Sequence, residues 1–217
     1  MDELLAMFIS LACKRYPLKI FALISFLICH SVGLSLYGQS TRQYSFSDQT
    51  TMQLQGTSTL HDWTCQVTRV EGSIALEPKM LARRKWTSGS KIGNLRVSVP
   101  IASIRSPRGA AMEKKLSNAL LADQHPAIVF VLSRIRPRQE DATILSAEGT
   151  LSVAGVDKPA VLIVKAEFDG NGQLSFSGTY AMNMRNFGIE PPSAMFGQIV
   201  SGDNVTISFN LQINTQP

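Results

Sequence analysis

One short amphipathic stretch, set among runs that alternate with period two, constrains this chain most. Residues 108–130 read RGAAMEKKLSNALLADQHPAIVF. Met112, Leu116, Ala119 and Leu120 recur at helical spacing, with Glu113, Lys114, Lys115 and Asn118 on the other face. Pro126 ends any helix and pushes the residue before it toward extended geometry. A strand-like run, 128–132, follows at once. Almost everything else after residue 40 alternates like β-strand, so the pattern predicts a strand-built shell with one helix over an opening.

The alternation is cleanest at Val205, Ile207, Phe209, Leu211 and Ile213, and clear again at Leu95, Val97, Val99 and Ile101. Residues 44–54, 71–76, 144–153, 160–168 and 174–184 read as further strands. Residues 56–67 read GTSTLHDWTCQV; if extended, they put Thr59, His61, Trp63, Cys65 and Val67 on one face. Residues 155–159 and 169–172 read as turns, the second with the Asp-Gly-Asn-Gly signature of a hairpin. Residues 77–93 and 186–202 read as long loops. Eight or nine strands joined by hairpin-length turns imply a mostly antiparallel sheet.

A sheet of that size leaves edges exposed, and closure into a barrel removes them. The expected fold is therefore all-β: a closed antiparallel barrel of about eight strands with one short amphipathic helix. A barrel of that size has room for one slender ligand. Its inward residues are Met, Leu, Ile, Val and Phe, which calls for an apolar guest. A solidly packed core would show the same residues and act as a structural or interaction module instead. Gly149, Gly178 and Ala147, small and mid-strand, favour space inside.

The first 38 residues read as an export leader. Lys14, Arg15 and Lys19 form a basic region, residues 20–36 are apolar, and small or turn-prone residues follow, with a cut expected near Gly38. An uncleaved anchor is the alternative, since residues 20–37 approach spanning length. The remainder, 39–217, is long enough for one domain with a real core. The expected location is the periplasm or the outside of the cell.

Charge and cysteine content narrow the function. The net charge is +5, and the leader carries three of the 21 basic and two of the 16 acidic residues. The balance that remains suits at most weak contact with an anionic membrane surface. It lacks the dense basic stripe of a nucleic-acid footprint; Lys79, Arg83, Arg84 and Lys85, and Arg134, Arg136 and Arg138, read as solvated clusters. Of three cysteines, Cys13 and Cys29 fall in the leader, so Cys65 has no disulfide partner.

These residues together resemble the YceI-like family. The resemblance rests on GTSTLHDW at 56–63, VSVPIASIRS at 97–106, the helix with DQHPAIVF at 112–130, EGTLSVAGVDKPAVL at 148–162, and RNFGIEPP through GDNVTISFNLQI at 185–213. It implies an extended lipocalin-like barrel enclosing a long polyisoprenoid chain, as in octaprenyl compounds or a quinone tail, outside the cytoplasm.

No catalytic residue, metal site or cofactor is expected. His61 and Asp62 invite such a reading, but neighbours on a strand point to opposite faces, and no spacing matches a zinc or calcium site. His125, before Pro126, reads as a turn residue, and Asp157-Lys158 as turn chemistry. The candidate ligand-binding residues are Trp63, Phe130, Phe176, Tyr180, Met182 and Phe209, bulky side chains that supply contact area for an alkenyl tail. Selectivity falls to polar groups at a mouth, with His61, Asn183, Arg185 and Asn186 as candidates.

Overall fold

The structure, a computed structural model, describes residues 41–214. The expected leader and its cut near Gly38 lie outside the described residues. Among the described residues, twelve strands form one antiparallel sheet. They are β1 (Arg42–Ser45), β2 (Thr51–Ser58), β3 (Trp63–Val67), β4 (Glu71–Leu76), β5 (Ile92–Pro100) and β6 (Ile104–Arg105). Then come β7 (Ala127–Pro137), β8 (Ile144–Val153), β9 (Val156–Phe168), β10 (Leu174–Asn183), β11 (Ser193–Ala194) and β12 (Ile199–Gln212). The sheet order is β1-β4-β5-β7-β8-β9-β10-β12-β2-β3-β6, with β11 paired to β12 off that path. The sheet curls so that one face of these strands lines a common interior.

The expected strand count of about eight differs from the observed one for a local reason. Runs expected to be continuous are broken. Residues 44–54 bend between β1 and β2, where Thr50 N donates to Ser47 O at 3.0 Å and Ser47 N donates to Gln212 O at 2.8 Å. Residues 56–67 turn back on themselves between β2 and β3, so Gly56 pairs with Trp63 across a hairpin instead of sharing a strand with it. After β5 a short 3-10 turn, Ile101–Ser103, precedes β6. Phe46 also bridges Ile213, which brings the end of β1 to the end of β12.

Turn chemistry fixes the longest hairpin. Ala154 and Gly155 both have positive φ, 48° and 79°, as a two-residue turn between twisted strands requires. The turn therefore occupies 154–155, and residues 156–159, expected in it, already belong to β9. The 169–172 turn forms as expected: Asp169 Oδ1 accepts from Asn171 N at 2.9 Å and Gln173 N at 2.8 Å.

Two helices, not one, accompany the described strands. The expected one is α2 (Ala110–Ala119). The other, α1 (Pro78–Arg83), lies in the stretch expected to be loop, with Pro78 in its first turn and Met80 buried. It leads to Trp86, which is buried and meets the Phe176 ring edge-on, centroids 5.8 Å apart at 89°. Around this pair the interior is solid. Leu76, Leu145, Leu174 and Ile213 are fully buried, and Ile213 N donates to Leu174 O at 2.9 Å. The basic side chains of Lys79, Arg83, Arg84 and Lys85, and of Arg134, Arg136 and Arg138, are exposed.

Candidate functional site

Beyond the solid end the interior is hollow. A cavity of about 540 Å³ runs between the strands, a size typical of small-ligand pockets. Its wall is aliphatic, aromatic and methionine-rich along the body of the sheet, with Leu54, Leu95, Leu162, Val164 and Ile207 among the lining. All six residues expected to line a pocket are in that wall: Trp63, Phe130, Phe176, Tyr180, Met182 and Phe209. The apolar face of α2 completes it, since Met112, Leu116, Ala119 and Leu120 also border the cavity.

Close approach explains how the bulky rings fit. A Cβ on Gly149 would lie 2.6 Å from Phe130 Cζ, one on Gly178 would lie 3.0 Å from Phe209 Cζ, and one on Gly56 would lie 2.6 Å from Trp63 Cε2. These glycines therefore seat three cavity rings against the wall. The space expected beside Gly149 and Gly178 is filled by aromatic side chains of the protein itself. Ala147 is buried and borders the cavity.

Most of the polar lining residues gather in one mouth. Ser58 pairs with Ser201 across β2 and β12. Ser58 Oγ donates to His61 O at 2.6 Å, and His61 N donates back to it at 3.2 Å, which fixes the hairpin carrying His61 and Asp62. Arg108, just before α2, contacts the His61 ring at Nε2. Lys115 on α2 donates to Ser193 O at 3.1 Å. His61, Asp62, Arg108, Lys115 and Ser193 all border the cavity. His61 and Asp62 sit in a turn, not on a strand, so the strand argument that separated them does not apply, and both reach the mouth.

The Arg108–His61 contact joins the turn before α2 to the β2–β3 turn. His61 Nδ1 is buried and has no hydrogen-bond partner among the described residues. Cys65 borders the same cavity, and burial pushes its thiol pKa up against an opposing hydrogen bond with Ser106.

Three other mouth candidates lie elsewhere. Asn183 Nδ2 donates to Asn204 Oδ1 at 3.1 Å, Arg185 pairs with Asp203 at 2.9 Å, and none of Asn183, Arg185 and Asn186 borders the cavity. His125 packs over the 154–155 turn, its ring against Gly155. Among the described residues no group of three His, Cys, Asp or Glu side chains comes together. Sequence reasoning missed Trp86, which is buried behind the cavity-lining Phe176. Its signal was the Glu77-Pro78 helix start followed by Met80 and Leu81 inside a basic stretch.

A YceI-like domain model matches residues 43–213. Among solved structures, Burkholderia cenocepacia BcnA superposes with a TM-score of 0.59 at 14% identity, covering 76% of this chain and 97% of that one. A polyisoprenoid binding domain from Saccharophagus degradans, implicated in plant cell wall breakdown, gives 0.59 at 8% identity, covering 81% and 99%. The Campylobacter jejuni YCEI protein gives 0.53 at 16% identity, covering 70% and 85%. At these identities the likeness is one of fold. No curated protein matches the chain.

Proposed function

This chain belongs to the YceI-like domain family, and on that premise we propose that it binds a polyisoprenoid or similar long-chain lipid inside its cavity. One observation carries the reading: a hollow of about 540 Å³ whose lining is mainly apolar, with His61 and the charged lining residues Asp62, Arg108 and Lys115 brought together at one mouth. That division suits an amphiphile, tail inward and polar end outward. At roughly 25 cal/mol per Å², a tail burying ~400 Å² gains on the order of 10 kcal/mol before the costs of association. The similar fold of a polyisoprenoid binding domain supports the same ligand class. The role is binding or carrying, not catalysis, and its place is the periplasm or the cell exterior, where weak contact with an anionic membrane surface would meet its ligand.

The wall is read as a closed barrel. β1 and β2 are successive pieces of chain along one edge of β12, through the Phe46–Ile213 bridge and the β2 pairing. β4 and β3 pair with them on the far side, and β5 and β6 beyond. Counted as three bent strands, these six pieces leave eight strands in a ring.

Native mass spectrometry and organic extraction of the purified protein test the function. A co-purified prenyl lipid, or stoichiometric uptake of one supplied from ethanol, is the expected result. A protein that neither carries nor takes up any long-chain lipid would overturn the reading.

A further inference from the structure

We propose that the rim of the cavity mouth is a membrane-docking surface that seats on a lipid bilayer, so that the mouth opens directly onto it. This rests on the lipid-binding reading of the cavity and adds the face by which a guest enters or leaves. Three large apolar side chains stand out from two turns at the mouth. Leu60 is 66% exposed, Met195 is 63% exposed, and Phe196 is wholly exposed. Leu60 precedes His61 and Asp62 in the β2–β3 turn, while Met195 and Phe196 follow Ser193 in the β11–β12 turn; His61, Asp62 and Ser193 all border the cavity.

The two turns are tied together. Thr59 N donates to Val200 O at 3.0 Å, Thr59 Oγ1 donates to Gln198 O at 3.2 Å, and Gln198 N donates to Met195 O at 3.2 Å. Leu60, Met195 and Phe196 therefore belong to one patch. Met195 and Phe196 have φ of 49° and 55°, a conformation uncommon for bulky residues, held here at the tip of an exposed turn.

Exposed apolar tips next to an apolar hollow mark an interaction surface, not ordinary solvated loop. Charge selects the partner. Arg108 and Lys115 flank the same mouth against one lining carboxylate, Asp62, and both cations are exposed. Glu113, on α2 beside Lys115, is engaged by Arg105 at 3.1 Å. Apolar side chains at the tips with cations around them suit the headgroup boundary of an anionic bilayer. This placement differs from the basic stretch near α1, which lies by the solid end.

Co-sedimentation with large unilamellar vesicles tests the docking, with every variant carrying the same N-terminus. Vesicles of 3:1 phosphatidylcholine and phosphatidylglycerol are compared with pure phosphatidylcholine. The expected result is binding to the mixed vesicles that falls tenfold or more in the Met195→Ser, Phe196→Ser double variant. The Arg108→Gln, Lys115→Gln double variant should weaken binding to mixed vesicles more than to neutral ones. Val161→Ser with Ile163→Ser removes side chains 57% and 45% exposed on the outer wall of β9 and should leave binding at the wild-type level.

No vesicle binding by the wild type, or equal losses in the rim and β9 variants, would overturn the proposal. So would a rim variant that turns a dimer into a monomer in sedimentation without affecting vesicles, because the tips would then pair two copies of the chain. Loading from ethanol separates the two claims. Uptake of prenyl lipid without vesicle binding sinks the docking alone, whereas vesicle binding without uptake sinks the cavity reading on which it rests.

Discussion

The ring of Phe130 on β7 lies against the backbone of Gly149 on β8, where a Cβ would come within 2.6 Å of Cζ. Trp63 over Gly56 and Phe209 over Gly178 repeat the relationship on two other strand pairs. Bare backbone lets the ring lie flat on the wall instead of standing in the hollow. Gly149→Ala must push the ring inward or bend the strand, because Val131 O crowds the same Cβ from the backbone. The expected cost is about 1–3 kcal/mol, read from urea denaturation, together with weaker uptake of the longest lipids.

Leu145 and Leu162 should respond differently to truncation. Leu145 is fully buried in the solid end, so Leu145→Ala removes contacts on every side and leaves a void, at about 2–5 kcal/mol. Leu162 borders the hollow, where one side of the side chain already lacks partner atoms. Leu162→Ala should therefore cost about 1–2 kcal/mol, below the usual core range. Equal losses in denaturation experiments would mean that the hollow is packed in solution.

The same contrast shows what could be read from the chain. The wall was legible because each inward residue is repeated every second position, so Phe176, Tyr180, Met182 and Phe209 could be assigned without knowing the register. Strand breaks at 46–50 and 59–62 were not legible, because side chains on both sides of each bend keep the alternating pattern. The role of Gly149 was misread for a related reason: a mid-strand glycine marks close approach, and only the three-dimensional register shows that Phe130 is what approaches. Trp86 was hidden because α1 is a six-residue helix, too short to display a period.

His61 should tolerate loss of its ring. Its Nδ1 is buried without a partner among the described residues, and an unsatisfied polar atom destabilises the empty protein. Its other contact is with Arg108, which is exposed and can turn to water. His61→Leu is expected to leave stability unchanged or raise it by up to about 1 kcal/mol in thermal or urea unfolding. A clear destabilisation would show that the ring has a structural partner.

Cys65 gives the fold an alkaline weakness. Burial raises its thiol pKa above the ordinary 9.0, partly offset by a hydrogen bond with Ser106, and nearby Glu113 raises it further. The unfolded chain then releases this proton at a lower pH than the folded one. Between the two values the folded state holds more protons, so stability falls as pH rises. Below 9.0 both states keep the proton and the effect vanishes. Wild type should therefore lose more stability than Cys65→Ala as pH is raised through 9.0, as measured by urea midpoints at each pH. Thiol alkylation should be slow in the folded protein and slower still with a lipid loaded, because Cys65 borders the cavity and only the thiolate reacts. Identical pH slopes for the two proteins would mean that the thiol is solvated in the folded state, and with it that part of the cavity wall.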